Sequence, residues 1–107
     1  MLFEQASQDG SNCPILNSKD ILGNPREMLW LLCNDLKIPF SESMLSWEAG
    51  PRDCDGIWGE YWYDSVWSST GFSSYRPRTG ELAPSVESVL DEAISLYQEL
   101  NSKRMRL

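Results

Sequence analysis

Apolar residues recur with helical spacing shortly after a strong helix-start signal. Asn24 stands at the cap position, and Pro25 occupies the first helical position, where proline loses no hydrogen bond. Glu27 lies three residues after the cap and can reach back to it, as in a capping box. The apolar residues then fall at i, i+3, i+4 and i+7: Leu29, Leu32, Cys33 and Leu36. Because Pro39 disfavours helical backbone at the residue before it, the pattern predicts one amphipathic helix that begins at Pro25 and ends before Pro39.

A short helix and a loop are predicted after this helix, and a short strand is considered before it. The pattern predicts a short helix over residues 41–45, with Ser41 as its cap. Residues 48–56 are rich in glycine, proline and aspartate and are typical of a loop. Upstream, Ile15 and Leu16 are compatible with the end of a short strand, although two residues carry little signal.

A third helix is predicted over residues 57–70. Trp58, Trp62 and Val66 fall at i, i+4 and i+8, which places them on one stripe. Aromatic residues are only fair helix formers, so packing must stabilise this helix. Gly71 follows directly and is expected to end the helix as a left-handed cap.

The last helix is predicted to begin at Pro84, again as a first-turn proline. Between the third and last helices, residues 72–81 should be extended or irregular, because they contain Pro77 and Gly80. The apolar stripe of the last helix consists of Val86, Leu90, Ala93, Tyr97 and Leu100. The predicted fold is therefore mainly α, with three longer helices, one short helix and long irregular loops.

Three regions follow from this reading. Residues 1–14 have no apolar period and are expected to form a disordered arm. Residues 15–101 form the helical region, and residues 102–107 form a basic, solvated tail. The total of 107 residues and 12.2 kDa fits one small domain.

The charge balance excludes several classes of partner. Nine basic and 16 acidic residues give a net charge of −7, which opposes nucleic-acid binding and binding as a basic helix to a membrane surface. No run of 18 apolar residues is present to span a membrane. Residues 1–70 hold 4 basic and 11 acidic side chains, so an acidic face could be simply solvated or could meet a basic partner.

Familiar catalytic chemistry is missing from the residue set. The chain contains no histidine, which removes imidazole bases and imidazole metal ligands. Its seven glycines form neither a G-x-x-x-x-G-K-S/T phosphate loop nor a G-x-S-x-G elbow. Chemistry by paired carboxylates stays open, although no spacing supports it.

Two further segments could bind ions, but each also has a purely structural interpretation. Residues 53–56 place two carboxylates before a glycine, which is a plain turn unless further ligands complete a calcium loop. Arg76 and Arg78 could bind an anion or form part of a solvated loop.

The cysteines and the first residues indicate a reducing compartment. Cys13, Cys33 and Cys54 are odd in number and form no C-x-x-C pair, so neither a disulfide framework nor a zinc site is expected. Cys33 should be buried and Cys54 exposed. The first four residues are short of basic side chains, carry the acidic Glu4 and do not resemble a signal peptide, so we expect an intracellular, cytoplasmic protein.

Several phrases resemble a known family. Residues 15–25 resemble the stretch after a late strand in sulfotransferase-like P-loop proteins, where a D-x-x-D-L-L-x-N-P phrase leads into a helix. The match continues through residues 32–40, 44–52, 55–58, 61–66 and 69–72. Its most specific parts are Met-Leu-Ser-Trp at 44–47 and Ser-Thr-Gly-Phe at 69–72. The resemblance covers roughly residues 15–100, and is to the branch that includes the N-terminal domain of branched-chain aminotransferase-like proteins.

This resemblance implies a position within a larger fold. The chain is similar to the C-terminal helical layer of an α/β P-loop protein, which packs on the sheet and helps to wall the acceptor site. In that family a Gly-rich loop, upstream of everything matched here, holds a phosphosulfate nucleotide donor. We therefore expect a truncated fragment without sulfuryl-transfer activity alone, and with no catalytic, cofactor or metal residues of its own.

Five residues are expected to face an acceptor or a partner: Trp47, Arg52, Trp58, Trp62 and Trp67. The resemblance leads us to expect a small or polar residue at position 67, so Trp67 departs from it. The alternative hypothesis is a small Trp-rich interaction module that docks on a partner, such as a full-length relative. Such a partner would cover apolar helix faces, because a domain this small would struggle to enclose five tryptophans.

Overall fold

Helices joined by long loops make up the computed structural model, which describes Gln5 and residues 13–107. The expected arm over residues 1–14 therefore lies almost wholly outside the described residues. A mostly helical chain with long irregular loops is confirmed. The elements are α1 (Ser18–Gly23), α2 (Pro25–Leu36), a 3-10 turn (Glu42–Met44), α3 (Gly59–Trp62), α4 (Asp64–Trp67), a second 3-10 turn (Pro84–Val86) and α5 (Glu87–Ser102).

Helix α2 begins at Pro25 as predicted, but its two ends differ in detail from the expectation. The Asn24 side chain makes no cap hydrogen bond. The helix ends at Leu36 because Lys37 adopts a left-handed conformation, with φ of 58°. The N–H of Lys37 then bonds to the Asn34 carbonyl at 3.3 Å, and the residue after Lys37 bonds to the Cys33 carbonyl at 2.9 Å. This is a Schellman motif, so the helix ends before the proline acts on it.

The buried core of the described residues is small. Met28 and Cys33 are its two buried apolar residues, and the Cys33 Sγ lies 3.9 Å from the Met44 Sδ. The prediction that Cys33 is buried is confirmed, whereas Leu36 of the same predicted stripe is exposed. Helix α1 is the neighbour that packs on α2, and its six residues are too few to cover the last turn of α2.

The single helix predicted over residues 57–70 is wrong. Two four-residue helices, α3 and α4, are separated at Tyr63, where the backbone leaves helical geometry. Trp58, Trp62 and Val66, the predicted stripe, are exposed instead of packed, so nothing within the described chain stabilises a longer helix.

The predicted cap at Gly71 is also wrong, since its φ is not positive. Instead Gly71 forms an isolated antiparallel bridge with Ser46. No strand occurs among the described residues, which overturns the short strand considered at Ile15. The Ile15 carbonyl accepts one hydrogen bond, from the N–H of Met105 at 2.8 Å.

Helix α5 was predicted to begin at Pro84 but begins at Glu87, after the 3-10 turn Pro84–Val86, and it is held mainly at its C-terminal end. The Asn17 amide donates to the Tyr97 hydroxyl at 2.9 Å and to the Asn101 side-chain oxygen at 3.0 Å. Beyond the helix, the Arg104 Nε donates to the Asp20 carboxylate at 2.8 Å. Arg104 is therefore half-buried, although the tail was expected to be solvated.

The surface area shows how incompletely the chain covers its apolar groups. The accessible surface is 8856 Å², against about 6,100 Å² for a globular protein of this mass. The radius of gyration is 17.1 Å, against about 13 Å for a compact domain of this length. Among the described residues, no helix combines the length and apolarity needed to cross a bilayer. The exposed large apolar residues include Trp30, Ile57, Trp58, Tyr61, Trp62, Val66, Val89, Ile94 and Tyr97.

Candidate functional site

Two loop segments meet and bring three of the five expected site residues together. The Ser46–Gly71 bridge joins them, and the Trp47 N–H donates to the Thr70 carbonyl at 2.9 Å. A second main-chain bond runs from the Gly50 N–H to the Trp67 carbonyl at 2.7 Å. We call the resulting group the Trp47–Trp67 cluster; it consists of Trp47, Arg52, Asp55, Trp67 and Phe72.

Trp47 anchors one end of the cluster. Its indole Nε1 donates to the Ser69 Oγ at 2.9 Å, and its ring meets Phe72 edge-on, with centroids 5.4 Å apart and planes at 83°. This edge-to-face geometry is favourable for the aromatic quadrupoles. Because Trp47 and Phe72 belong to the Met-Leu-Ser-Trp and Ser-Thr-Gly-Phe phrases, the two most specific phrases of the sequence are neighbours in space.

Asp55 anchors the other end of the cluster. Its Oδ2 accepts from the Arg52 backbone N–H at 2.8 Å and from the Trp67 indole Nε1 at 2.8 Å. These two hydrogen bonds, that from the Arg52 N–H first, lower the pKa of the Asp55 carboxyl from its ordinary 3.8. The carboxylate therefore stays ionised and is a weak base, and it serves as an acceptor that fixes the loop.

Arg52 is held by main-chain carbonyls rather than by a carboxylate. Its Nη1 donates to the Gly50 carbonyl at 2.9 Å and its Nη2 to the Glu48 carbonyl at 2.6 Å. A guanidinium has five N–H donors, so further donors stay available to a ligand. Arg52 borders an open cleft of 320 Å³ whose other lining residues are Asp55, Gly56, Ile57, Glu60 and Trp67.

Two glycines permit the close approaches that the cluster needs. A Cβ at Gly59 would lie 3.1 Å from the Cζ2 of Trp67, and a Cβ at Gly71 would lie 3.2 Å from the Leu45 carbonyl oxygen. Both separations are tighter than ordinary van der Waals contact. Gly59 therefore makes room for the indole, and Gly71 for the neighbouring main chain.

The expected site residues thus divide into two groups. Trp47, Arg52 and Trp67 belong to the cluster, and both indoles are half-buried. Trp58 and Trp62 are exposed outside it. At position 67, where a small or polar residue was expected, the indole uses its N–H to bond to Asp55.

Asp55 lies in a turn, as the sequence predicted, but its structural role in holding the cluster was not predicted. The sequence feature that could have indicated this role is an acidic residue three positions after Arg52. The Asp55 N–H donates to the Arg52 carbonyl at 3.0 Å while its carboxylate accepts from the Arg52 N–H, a reciprocal pair like that of a capping box.

The sequence profile of one family, described as Sulfotransferase domain, matches residues 4–104. The chain belongs to this family. It is 40% identical over 103 residues to branched-chain-amino-acid aminotransferase-like protein 1 of Arabidopsis thaliana, and 38% identical over 101 residues to protein 2 of the same name and organism. These alignments cover 94% and 92% of the chain, respectively.

The resemblance to the sulfotransferase-like family and to its aminotransferase-like branch is therefore confirmed. The match covers only a small part of each relative, so it does not show the activity of the whole protein. The chain spans 18% of the length of each of these curated relatives. No solved structure matches it.

A larger opening lies away from the cluster, beside α2. This groove has a volume of 560 Å³ and an apolar floor that includes Trp30, Leu31 and Phe40. Its rim includes the exposed ion pair of Arg26 with Glu42, which carries no reactive chemistry. Within residues 13–107, no group of three or more cysteine, aspartate or glutamate side chains could hold a metal ion.

Proposed function

We propose that this chain forms the acceptor-side wall of a sulfotransferase-like domain and does not transfer a sulfuryl group by itself. Membership of the sulfotransferase domain family and the close match to the aminotransferase-like relatives support the first part. The second part is supported by the sequence, because none of its glycines forms a phosphate-binding loop for a phosphosulfate nucleotide. The observation that carries the proposal is the cleft beside Arg52 and Trp67.

The cleft is equipped to bind rather than to catalyse. Arg52 offers N–H donors beside the apolar surfaces of Trp67 and Ile57, which suits an organic acceptor with a polar or anionic group on an apolar body. Asp55 is occupied by two donors and its pKa is lowered, so it is a poor base for an acceptor hydroxyl. Acceptor positioning is therefore the role that the geometry supports best.

Donor binding and transfer by the isolated chain test the proposal. The purified chain is titrated calorimetrically with a phosphosulfate nucleotide, and transfer of labelled sulfate to phenolic and alcoholic acceptors is followed, with an active sulfotransferase as control. We expect neither heat of binding nor labelled product from the chain. Donor binding, or product above the protein-free blank, would contradict the proposal.

A second function, docking on a protein partner such as a full-length relative, is favoured by a separate observation. Large apolar side chains are exposed along α3, α4 and α5, and contiguous exposed patches of this kind mark interaction sites. Light scattering after size exclusion tests it on a mixture with Arabidopsis aminotransferase-like protein 1. We expect one complex of defined mass, and separate elution of the two proteins would refute docking on this relative.

Exposed tryptophans supply variants for the same experiment. Trp58→Ser together with Trp62→Ser should abolish the complex, because it removes two indoles of the exposed surface. Trp30→Ser is the matched control, since Trp30 is also exposed but lies in the groove beside α2. Equal loss of the complex in both variants would contradict docking through α3 and α4.

A further inference from the structure

An exposed segment without secondary structure joins the Trp47–Trp67 cluster to the last helix. Residues 73–82 lie between Phe72 of the cluster and the 3-10 turn that precedes α5, and all of them are exposed. Within the described part of the chain, none of these residues makes a hydrogen bond. The Tyr75 ring, whose centroid lies 5.6 Å from the Lys19 Nζ, attaches the segment to α1. The segment is therefore accessible to another protein along its length.

Two arginines and a threonine stand together in this segment. Arg76 precedes Thr79 by three residues and Arg78 precedes it directly, with Pro77 between the two arginines. Neither guanidinium forms an ion pair or a hydrogen bond with the described residues. Residues 73–80 carry these two positive charges and no acidic side chain, although the net charge of the chain is −7. The segment is therefore a short cationic stretch on an acidic protein.

The position of Thr79 distinguishes it from the other hydroxyl side chains. It is the one serine or threonine in the sequence that has a basic residue three positions before it. Its hydroxyl makes no hydrogen bond with the described residues, whereas the hydroxyls of Ser68 and Ser69 donate to main-chain carbonyls. Ser73 and Ser74 are exposed in the same segment but lack the preceding arginine. Thr79 therefore combines an accessible hydroxyl with a charge pattern that no other hydroxyl of the chain shares.

We propose that Thr79 is phosphorylated by a serine/threonine kinase of the basophilic class, which recognises an arginine three residues before its target. Such a kinase presents carboxylates to the arginine guanidinium, and charge-assisted pairs of this kind are among the stronger hydrogen bonds. It binds its substrate in an extended conformation. Residues 73–82 can adopt this conformation because no hydrogen bond within the described chain has to break first.

The reaction takes its phosphoryl group from ATP and changes the charge of the segment. The Thr79 hydroxyl oxygen attacks the γ-phosphorus, its proton passes to a kinase carboxylate, and the bond to the leaving ADP breaks. The phosphate adds a charge of about −1.5 to −2, which offsets the two positive charges of residues 73–80. Because the segment belongs neither to the cluster nor to helices α3, α4 and α5, this modification is independent of acceptor positioning and of docking on those helices.

Phosphorylation of the full chain by cAMP-dependent protein kinase and ATP tests the proposal, with the modified residues located by mass spectrometry. We expect one phosphate per chain, on Thr79, and none on Ser73 or Ser74. Thr79→Ala should abolish incorporation, and Thr79→Ser should retain it. Phosphate on Ser73 or Ser74 in the same amount as on Thr79, or an unmodified Thr79 after complete phosphorylation of a standard peptide substrate, overturns the proposal.

Two arginine variants separate recognition of the segment from its accessibility. Arg76→Gln should lower kcat/KM for phosphorylation of Thr79 about tenfold, because the kinase loses a charge-assisted contact. The matched control is Arg106→Gln, which removes the same charge from another exposed arginine and should change kcat/KM by no more than about twofold. Near-ultraviolet circular dichroism checks that both variants keep the fold. Equal values of kcat/KM for the two variants overturn the proposal.

Discussion

Replacing Gly59 by alanine tests the packing of the Trp47–Trp67 cluster most sharply. The new Cβ would lie 3.1 Å from the Cζ2 of Trp67, 3.4 Å from the Cδ2 of Tyr63 and 3.5 Å from the Cβ of Asp55. The closest of these contacts forces the indole to move. Because the same indole donates to Asp55 at 2.8 Å, any displacement also weakens that hydrogen bond.

The chain offers a matched control three residues away. A Cβ at Gly56 would meet no atom within 4 Å, and neither Gly56 nor Gly59 has a positive φ. Each substitution restricts the unfolded chain, which stabilises by about 0.4–1 kcal/mol, whereas overpacking costs about 1–3 kcal/mol. Gly56→Ala should therefore raise the free energy of unfolding, and Gly59→Ala should lower it by about 1–2 kcal/mol.

Urea unfolding followed by near-ultraviolet circular dichroism measures both values. Exchange of the Trp67 indole N–H, read by NMR, adds a local measurement and should be faster in Gly59→Ala than in Gly56→Ala. If the two variants gain the same stability and the same protection, Trp67 does not occupy the space above Gly59 and the described cluster is wrong.

Three further predictions concern individual contacts. Trp47→Phe keeps an aromatic ring but removes the indole N–H that bonds to Ser69, so urea unfolding should show a loss of at least about 1 kcal/mol; an unchanged free energy would refute that bond. Since the folded pKa of Asp55 lies below 3.8, its stabilising effect is fully present above that pH and is lost as the pH falls through the folded pKa. Asp55→Asn should therefore flatten the acid limb of stability against pH, and an unaltered limb would contradict the assignment. Arg104→Gln removes a partly buried ion pair with Asp20 and should cost about 1 kcal/mol in thermal unfolding at low salt, where no change would refute its role in holding the end of α5.

The sequence predicted the elements whose signals are local. Pro25 and Pro84 mark helical starts through their own fixed backbone; α2 begins at Pro25, whereas Pro84 begins a 3-10 turn and α5 itself begins at Glu87. The apolar spacing of Trp58 and Trp62 instead predicted burial, which requires a surface to pack against. The spacing of apolar residues indicates which side of a helix would pack against another element. It cannot show whether the described chain provides that element, and here both indoles are exposed.

The candidate site shows the same division between local and distant information. Family-like sequence motifs indicated Trp47 and Arg52 as site residues. The geometry of the Trp47–Trp67 cluster, however, depends on contacts between residues that lie 12 to 25 positions apart in the sequence. The Trp67 indole reaches Asp55 twelve positions earlier, a pairing that no local pattern predicts. Gly71 was read as a helix cap because glycine commonly serves as one, whereas close approach to Leu45 is its role here.

Solvent accessibility of the individual indoles in the isolated chain tests the central claim most directly. The chain is labelled with 5-fluorotryptophan, and the fluorine resonances of its five tryptophans are compared in light and heavy water, where an exposed ring shows a larger isotope shift. We predict large shifts for Trp30, Trp58 and Trp62 and smaller shifts for Trp47 and Trp67. Uniformly small shifts would mean that the chain encloses all five rings in a core of its own, and would contradict the account of an uncovered face that needs a partner.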